Sequence, residues 1–278
     1  MTSPLVTPDW LERRLDDGAI RIVEISSTPG GEAYLEGHIP GAIRFYWKDI
    51  CWHQTDREFI TPGALAAALG AVGIGAGDTL VLYGDPVQYG TYAFWAFTMA
   101  GFGELRLLDG SRAKWLGEGR PMAKDIPRLA PADCRPGQGD ASMRIGRDDI
   151  RANLGRPGRL LLDVRSPEEF SGQRVMELPN FDHGAERAGR IPGAVHLYYR
   201  NLLNDDDSFK SPDQLHALFA SVGATPERAG EIVVYCRLSH RATLTWMAMR
   251  HILGFGNVKI YDGSWTEWGS IVGFPVEK

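Results

Sequence analysis

One cysteine stands where a thiol can do chemistry. Cys236 follows the apolar run Ile232-Val-Val-Tyr235 and precedes Arg237-Leu238-Ser239-His240-Arg241, after which a second apolar run, Leu244 to Leu253, continues at helical spacing. The pattern predicts a buried strand, a tight loop and a helix. At such a junction backbone N–H groups without helical partners converge at the positive end of a helix dipole. Arg237 and Arg241 add two fixed positive charges, and the combination is expected to hold the sulfur as the thiolate, the form that attacks. A buried structural cysteine is the plainer reading of a lone strand-end thiol. A core thiol, however, has no need of two arginines within five residues. The residues point to sulfur chemistry on an anionic substrate.

The elements that must position this loop occur twice. Ile20 to Ile25 and Leu160 to Val164 read as strands, followed by Glu36-Gly-His-Ile-Pro-Gly-Ala-Ile43 and Ala188-Gly-Arg-Ile-Pro-Gly-Ala-Val195. Phe59-Ile-Thr-Pro62 and Phe209-Lys-Ser-Pro212 each open an amphipathic helix, Ala64 to Val72 and Gln214 to Val222. Thr79-Leu-Val-Leu-Tyr83 matches Glu231-Ile-Val-Val-Tyr235, and Leu107-Leu-Asp-Gly110 matches Ile260-Tyr-Asp-Gly263. An offset of about 150 residues is too long for a solenoid repeat, so two tandem domains of one α/β fold are expected. Strands alternating with helices predict a central parallel sheet flanked by helices in each, with reactive groups beyond the carboxyl ends of the strands. The expected divisions are 1–120, a Pro- and Gly-rich linker 121–143 draped over the surface, and 144–278. Where the second copy has Tyr235-Cys236-Arg237, the first has Tyr83-Gly84-Asp85. The first domain is therefore expected to have no chemistry of its own and to cover the second domain's loop. Trp47, Trp52, Tyr89 and Tyr92 are candidates to line that cover, though such aromatics are more often core.

Composition sets the outer limits. The chain has 278 residues, 44% hydrophobic and 23% charged, with a net charge of −5. That balance argues against a nucleic-acid binder, so the arginines of the loop mark a site and not a basic surface. No run has the length of a membrane span, and the N-terminus lacks the pattern of a signal peptide. Cys51, Cys134 and Cys236 are too widely spaced for a disulfide framework or a zinc site. No metal or other cofactor is expected, and a reducing cytoplasm is the natural compartment.

Taken together, the tandem copies, the Cys-Arg loop, Asp163-Val-Arg-Ser-Pro-Glu-Glu-Phe170, the two Ile-Pro-Gly-Ala turns and Tyr261-Asp-Gly-Ser-Trp-Thr-Glu-Trp-Gly269 resemble the two-domain rhodanese family, the thiosulfate sulfurtransferases, over nearly the whole chain. The resemblance implies tandem rhodanese-like domains, the first catalytically inactive. It implies that Cys236 takes up a sulfane sulfur as a persulfide, which cyanide or a thiol acceptor, small or protein-borne, then removes. It further implies that backbone N–H groups of the loop from Arg237 through Leu238, Ser239 and His240 to Arg241 cradle the sulfur, while Arg237 binds the thiosulfate oxygens.

The loop departs from the usual Cys-Arg-Lys-Gly-Val-Thr, with Leu238 where Lys would be and Arg241 where Thr would be. Mercaptopyruvate-using relatives carry Cys-Gly-Ser-Gly-Val-Thr, so Arg237 favours thiosulfate and leaves 3-mercaptopyruvate as the alternative donor. Glu169 stands where some relatives place a substrate-binding arginine, for which Arg187 or Arg190 is a substitute if it is not an ordinary surface residue. Phosphatases and arsenate reductases of related fold use Cys-x5-Arg. The Cys-x4-Arg spacing from Cys236 to Arg241 makes a smaller ring, suited to one sulfur. A Cys236–His240 dyad is disfavoured because adjacent loop residues rarely face one another, and Asp163 is read as a tie for a neighbouring loop. A non-enzymatic persulfide carrier or binding module is the competing class.

Overall fold

β8 (Glu231–Tyr235) is the central strand that delivers Cys236, and from Ile232 onward every residue of it is at most 1% exposed. A strand covered on both faces carries a continuous apolar run where a half-exposed one would alternate. A computed structural model describes residues 3–226 and 230–278. The chain divides into two units, one of Met1–Ala141 with Asp205–Ser208, the other of Ser142–Asn204 with Phe209–Lys278.

In the first unit the order is β1 (Leu5–Val6), α1 (Pro8–Glu12), β2 (Ile20–Ser26), α2 (Glu32–Glu36), β3 (Ile43–Tyr46), α3 (Trp47–Cys51), α4 (Pro62–Ala71), β4 (Thr79–Asp85), α5 (Val87–Met99), β5 (Leu105–Leu108) and α6 (Ser111–Gly117). Its sheet is parallel, ordered β1-β5-β4-β2-β3. The second unit has α7 (Arg147–Ala152), β6 (Arg159–Asp163), α8 (Pro167–Phe170), β7 (Val195–His196), a 3-10 turn (Tyr199–Leu202), α9 (Pro212–Ser221), β8, α10 (His240–Met247), β9 (Val258–Ile260) and α11 (Ser264–Trp268). Its parallel sheet is ordered β7-β6-β8-β9. The edge strand corresponding to β1 is reduced to one bridge, Arg144 to Ile260.

Local chemistry sets the helix starts. Thr61 caps α4 and Ser211 caps α9, each followed by a proline at the first helical position, and Gln214 completes a capping box on Ser211. Both helices therefore begin two residues before the apolar periodicity does. The expected run Leu244 to Leu253 is also corrected: α10 starts at His240, and Ala248–Ile252 is a π-helical stretch.

Residues 121–141 contain no helix or strand. Ala132 N–H donates to Gly70 O at 2.9 Å, Asp133 O accepts Ala76 N–H at 3.0 Å, and Asp140 N–H donates to Met99 O at 2.7 Å. Trp47, Trp52, Tyr89 and Tyr92 form one aromatic cluster of the first unit, with Trp52 Nε1 donating to the Tyr92 hydroxyl at 2.6 Å. Among the described residues no helix is long and apolar enough to cross a membrane.

Candidate functional site

Cys236 leaves the carboxyl end of β8 and is 1% exposed. α11 clamps it from one side. Ser264 Oγ accepts the Cys236 N–H at 3.3 Å and donates to Tyr261 O at 2.7 Å. Trp265 N–H donates to Cys236 O at 3.0 Å, and Thr266 donates to Arg237 O through N–H at 3.0 Å and Oγ1 at 2.8 Å. Each such bond contributes about 0.5–1.5 kcal/mol net. Together they remove the freedom of the two residues that carry the thiol and the first loop cation.

Ser239 enters α10 with φ +63°. At the residue before a helix a serine hydroxyl ordinarily accepts a first-turn N–H. Here it donates to its neighbour Leu238 O at 2.7 Å, and α10 has no side-chain cap. The Ser239 carbonyl takes Thr243 N–H, and His240 N–H folds back to Leu238 O. The start of α10 is thus left without the side-chain acceptor that would compete with an anion there.

The two arginines of the loop are placed differently. Arg237 is half-buried on the loop itself. Arg241, 8% exposed, is held in a fork: Nη1 donates to Glu169 Oε2 at 2.6 Å and to Glu177 Oε2 at 2.9 Å, and Nη2 donates to Glu169 Oε1 at 2.9 Å. Burial opposes its charge, but the hydrogen bonds and charge of Glu169, then Cys236 and Glu177, outweigh burial and hold its guanidinium well above the ordinary value. Glu169 is fully buried and also completes the capping box of α8, accepting Ser166 N–H at 3.0 Å. Tyr198 OH donates to Glu177 at 2.5 Å.

The other flagged residues have structural partners. Arg187 spends its guanidinium on four carbonyls, Trp268, Gly269, Ile271 and Phe274, at 2.7–3.1 Å. Arg190 binds the Glu277 carboxylate and lies on the Phe170 ring. Asp163 accepts three bonds from the Arg165 side chain at 2.6–3.1 Å, and Arg165 reaches on to Gly189 O at 2.7 Å, so Asp163 ties down the following loop.

Ser264, Thr266, Glu177 and Tyr198 were not singled out as site residues by the sequence reading. A signal for Ser264 was present: Asp-Gly-Ser closes both copies, at Asp109-Gly-Ser111 and Asp262-Gly-Ser264. In the first unit Ser111 Oγ accepts Gly84 N–H at 2.8 Å, so Gly84 sits as Cys236 does. The Ile-Pro-Gly-Ala turns are likewise pinned twice, Ile39 N–H to the Tyr83 hydroxyl at 3.4 Å and Ile191 N–H to the Tyr235 hydroxyl at 3.1 Å. What differs is room. A β-carbon on Gly84 would meet Gly90 N, stand 2.7 Å from Pro86 O and 3.0 Å from Tyr89 C. Between tyrosine and helix the first unit has only residues 84–86, the second 236–239.

The geometry accords with known proteins. The model of the rhodanese-like domain matches the chain twice, over residues 7–118 and 147–271. The sulfur carrier protein TtuD of Thermus thermophilus is 38% identical over 279 aligned residues, covering 99% of this chain and 96% of that protein. A Haloferax volcanii protein named "Putative thiosulfate sulfurtransferase" is 39% identical, covering 99% and 96%. Among solved structures, an EanB variant in complex with ergothioneine superposes with a TM-score of 0.83 at 24% identity, over 99% of this chain and 70% of that one, a likeness of fold.

Proposed function

The chain belongs to the rhodanese family as a tandem pair of rhodanese-like domains with sulfurtransferase activity, and from that premise we propose that it moves the sulfane sulfur of thiosulfate to cyanide or a thiol through a persulfide on Cys236. The observation that carries this reading is the clamped Cys236, whose N–H and carbonyl are both taken by α11 while the start of α10 beside it lacks a side-chain cap.

The Cys236 thiolate attacks the outer sulfur of thiosulfate. The donor's S–S bond breaks, sulfite leaves with the bonding pair, and a persulfide anion remains on Cys236. Backbone N–H groups of the loop between Arg237 and Arg241, other than that of His240, which is bonded to Leu238 O, stabilise that anion, and the Arg237 guanidinium takes the donor's oxygens. Cyanide or a thiolate then attacks the terminal sulfur and leaves as thiocyanate or a new persulfide, restoring the Cys236 thiolate. The first domain, with Gly84 and a shorter loop, takes no part in this chemistry. The three cysteines are unpaired and suit a reducing compartment, the cytoplasm.

Incubation with thiosulfate adds one sulfur, about 32 Da, to the intact mass; cyanide removes it, and Cys236→Ser abolishes it. An adduct that persists in that variant, or forms on Cys51 or Cys134, refutes the assignment. A carrier that passes its persulfide to a protein thiol is the second reading, favoured by the name of the Thermus thermophilus relative. Turnover with cyanide or a small thiol separates the two: a carrier forms the adduct without multiple turnovers.

A further inference from the structure

Two cations four residues apart look equivalent on paper, but the structure gives them different company. The Arg241 guanidinium faces two carboxylates, Glu169 and Glu177, so this group of three carries a net negative charge and offers an incoming dianion no surplus attraction. It also cannot turn to a ligand cheaply. Glu169 is fully buried, and losing Arg241 would leave a buried carboxylate without its ion pair, which is costly. Glu169 is itself immobilised by its capping box with Ser166, and Glu177 by the Tyr198 hydroxyl. The Tyr199 ring lies 5.7 Å from the guanidinium. This is the environment of an anchor. Arg241 is the second residue of α10, so the anchor fixes the first turn, whose N–H groups lie at the Cys236 loop.

We infer that Arg241 is a positioning residue of the sulfur-transfer step and not a ligand of the donor, held in that role by Glu169, Glu177 and Tyr198. The inference rests on the persulfide reading above. It adds a division of labour: Arg237 selects the donor, and Arg241 aims the loop at whatever sulfur arrives. It also predicts that the Cys-x4-Arg ring does not act as an oxyanion ring, since its arginine is turned to carboxylates of the same domain.

Glu169→Gln separates the alternatives by the sign of its effect. If Arg241 positions, weakening its anchor lowers kcat about tenfold or more for thiosulfate and for mercaptopyruvate alike, with KM changed by less than about twofold, because misaimed donors cost rate and not ground-state affinity. If Arg241 is a masked donor ligand, the same substitution unmasks a cation and lowers the thiosulfate KM, which overturns the inference. Arg241→Met gives the matching test: an equal kcat loss on both donors is expected, and a rise in KM confined to thiosulfate overturns it. Because these variants touch a buried ion pair, Tyr198→Phe is measured beside them, removing one hydroxyl that holds Glu177. A kcat loss of about threefold at unchanged KM is expected, in line with one hydrogen bond, and an unchanged kcat overturns the role of the network. Wild-type adduct formation, read by intact mass in the same series, reports on the persulfide reading separately. Its absence sinks that reading whatever the variants do.

Discussion

Gly184 lies directly against the guanidinium of Arg237: a methyl group at Gly184 would stand 2.9 Å from Nη2 and 3.0 Å from both Cζ and Nε. The glycine has φ +109°, where side chains are strained, so the backbone favours it, and a β-carbon there would push the flexible Arg237 guanidinium aside. Gly184→Ala should displace Arg237 and raise the thiosulfate KM about tenfold, while mercaptopyruvate turnover changes little. Arg237→Gly sets the scale. A charge-assisted contact is worth about 1.5–3 kcal/mol, so a ten- to hundredfold loss in kcat/KM for thiosulfate is expected there. Equal losses on both donors would mean that Arg237 shapes the loop and does not select.

Ser264→Ala tests the clamp. It strips the acceptor from the buried Cys236 N–H, and leaving such a donor unsatisfied costs about 1–3 kcal/mol. The expected result is a lower Tm and a kcat reduced about tenfold with both donors. Steady-state kinetics and thermal melts together check it. A variant with wild-type kcat would show that Trp265 and Thr266 suffice to hold the loop.

Gly84→Cys should not create a second active site. The position is closed by Gly90 N and Pro86 O, so a side chain there overpacks the loop at a cost of about 1–3 kcal/mol. Thiosulfate should still add a single sulfur, removed by Cys236→Ser, and the variant should melt earlier. A second cyanide-labile sulfur in its mass spectrum would contradict the steric account.

His251, in the π-helical stretch and edge-on to Trp246 at 4.9 Å, has its imidazole pushed down to about 4 by burial and then by Arg250. A base whose pKa falls on folding is kept neutral in the native state while the unfolded chain still binds the proton. Its contribution is therefore present above about pH 6.5, the unfolded value, and is lost as pH falls towards 4. The wild-type Tm should drop over that window, and His251→Gln should drop less. Parallel Tm-versus-pH curves would remove His251 from the explanation.

The parallel sheets were legible because buried strands announce themselves as short apolar runs. Ile20 to Ile25 emerges as Ile20–Ser26, and Ile232 to Tyr235 as Glu231–Tyr235. The helix starts were misread where proline and a cap residue precede the first apolar position, since periodicity is blind to capping. The strand, loop and helix around Cys236 were legible because they are contiguous in sequence. The local pattern could not give the partner of Arg241, since Glu169 lies 72 residues away and only the folded sheet brings α8 to α10. Nor could it distinguish Arg237 from Arg241, because the difference lies in what surrounds each charge and not in the charge itself.

The Ser111 and Ser264 clamps bear on how the two halves can diverge. Both keep the positive-φ serine and its bond to the residue after the tyrosine, so the scaffold is common to a half with a glycine there and a half with a cysteine. The halves differ by a whole residue of loop as well as by the thiol. No point mutation crosses that gap, since codon replacement supplies a cysteine but not the length that houses it. Interconversion needs an in-frame insertion or deletion together with a substitution, two events of which neither alone reproduces the Cys236 loop. The division between the Gly84 half and the Cys236 half is in this sense locked, and libraries built by substitution alone will not undo it.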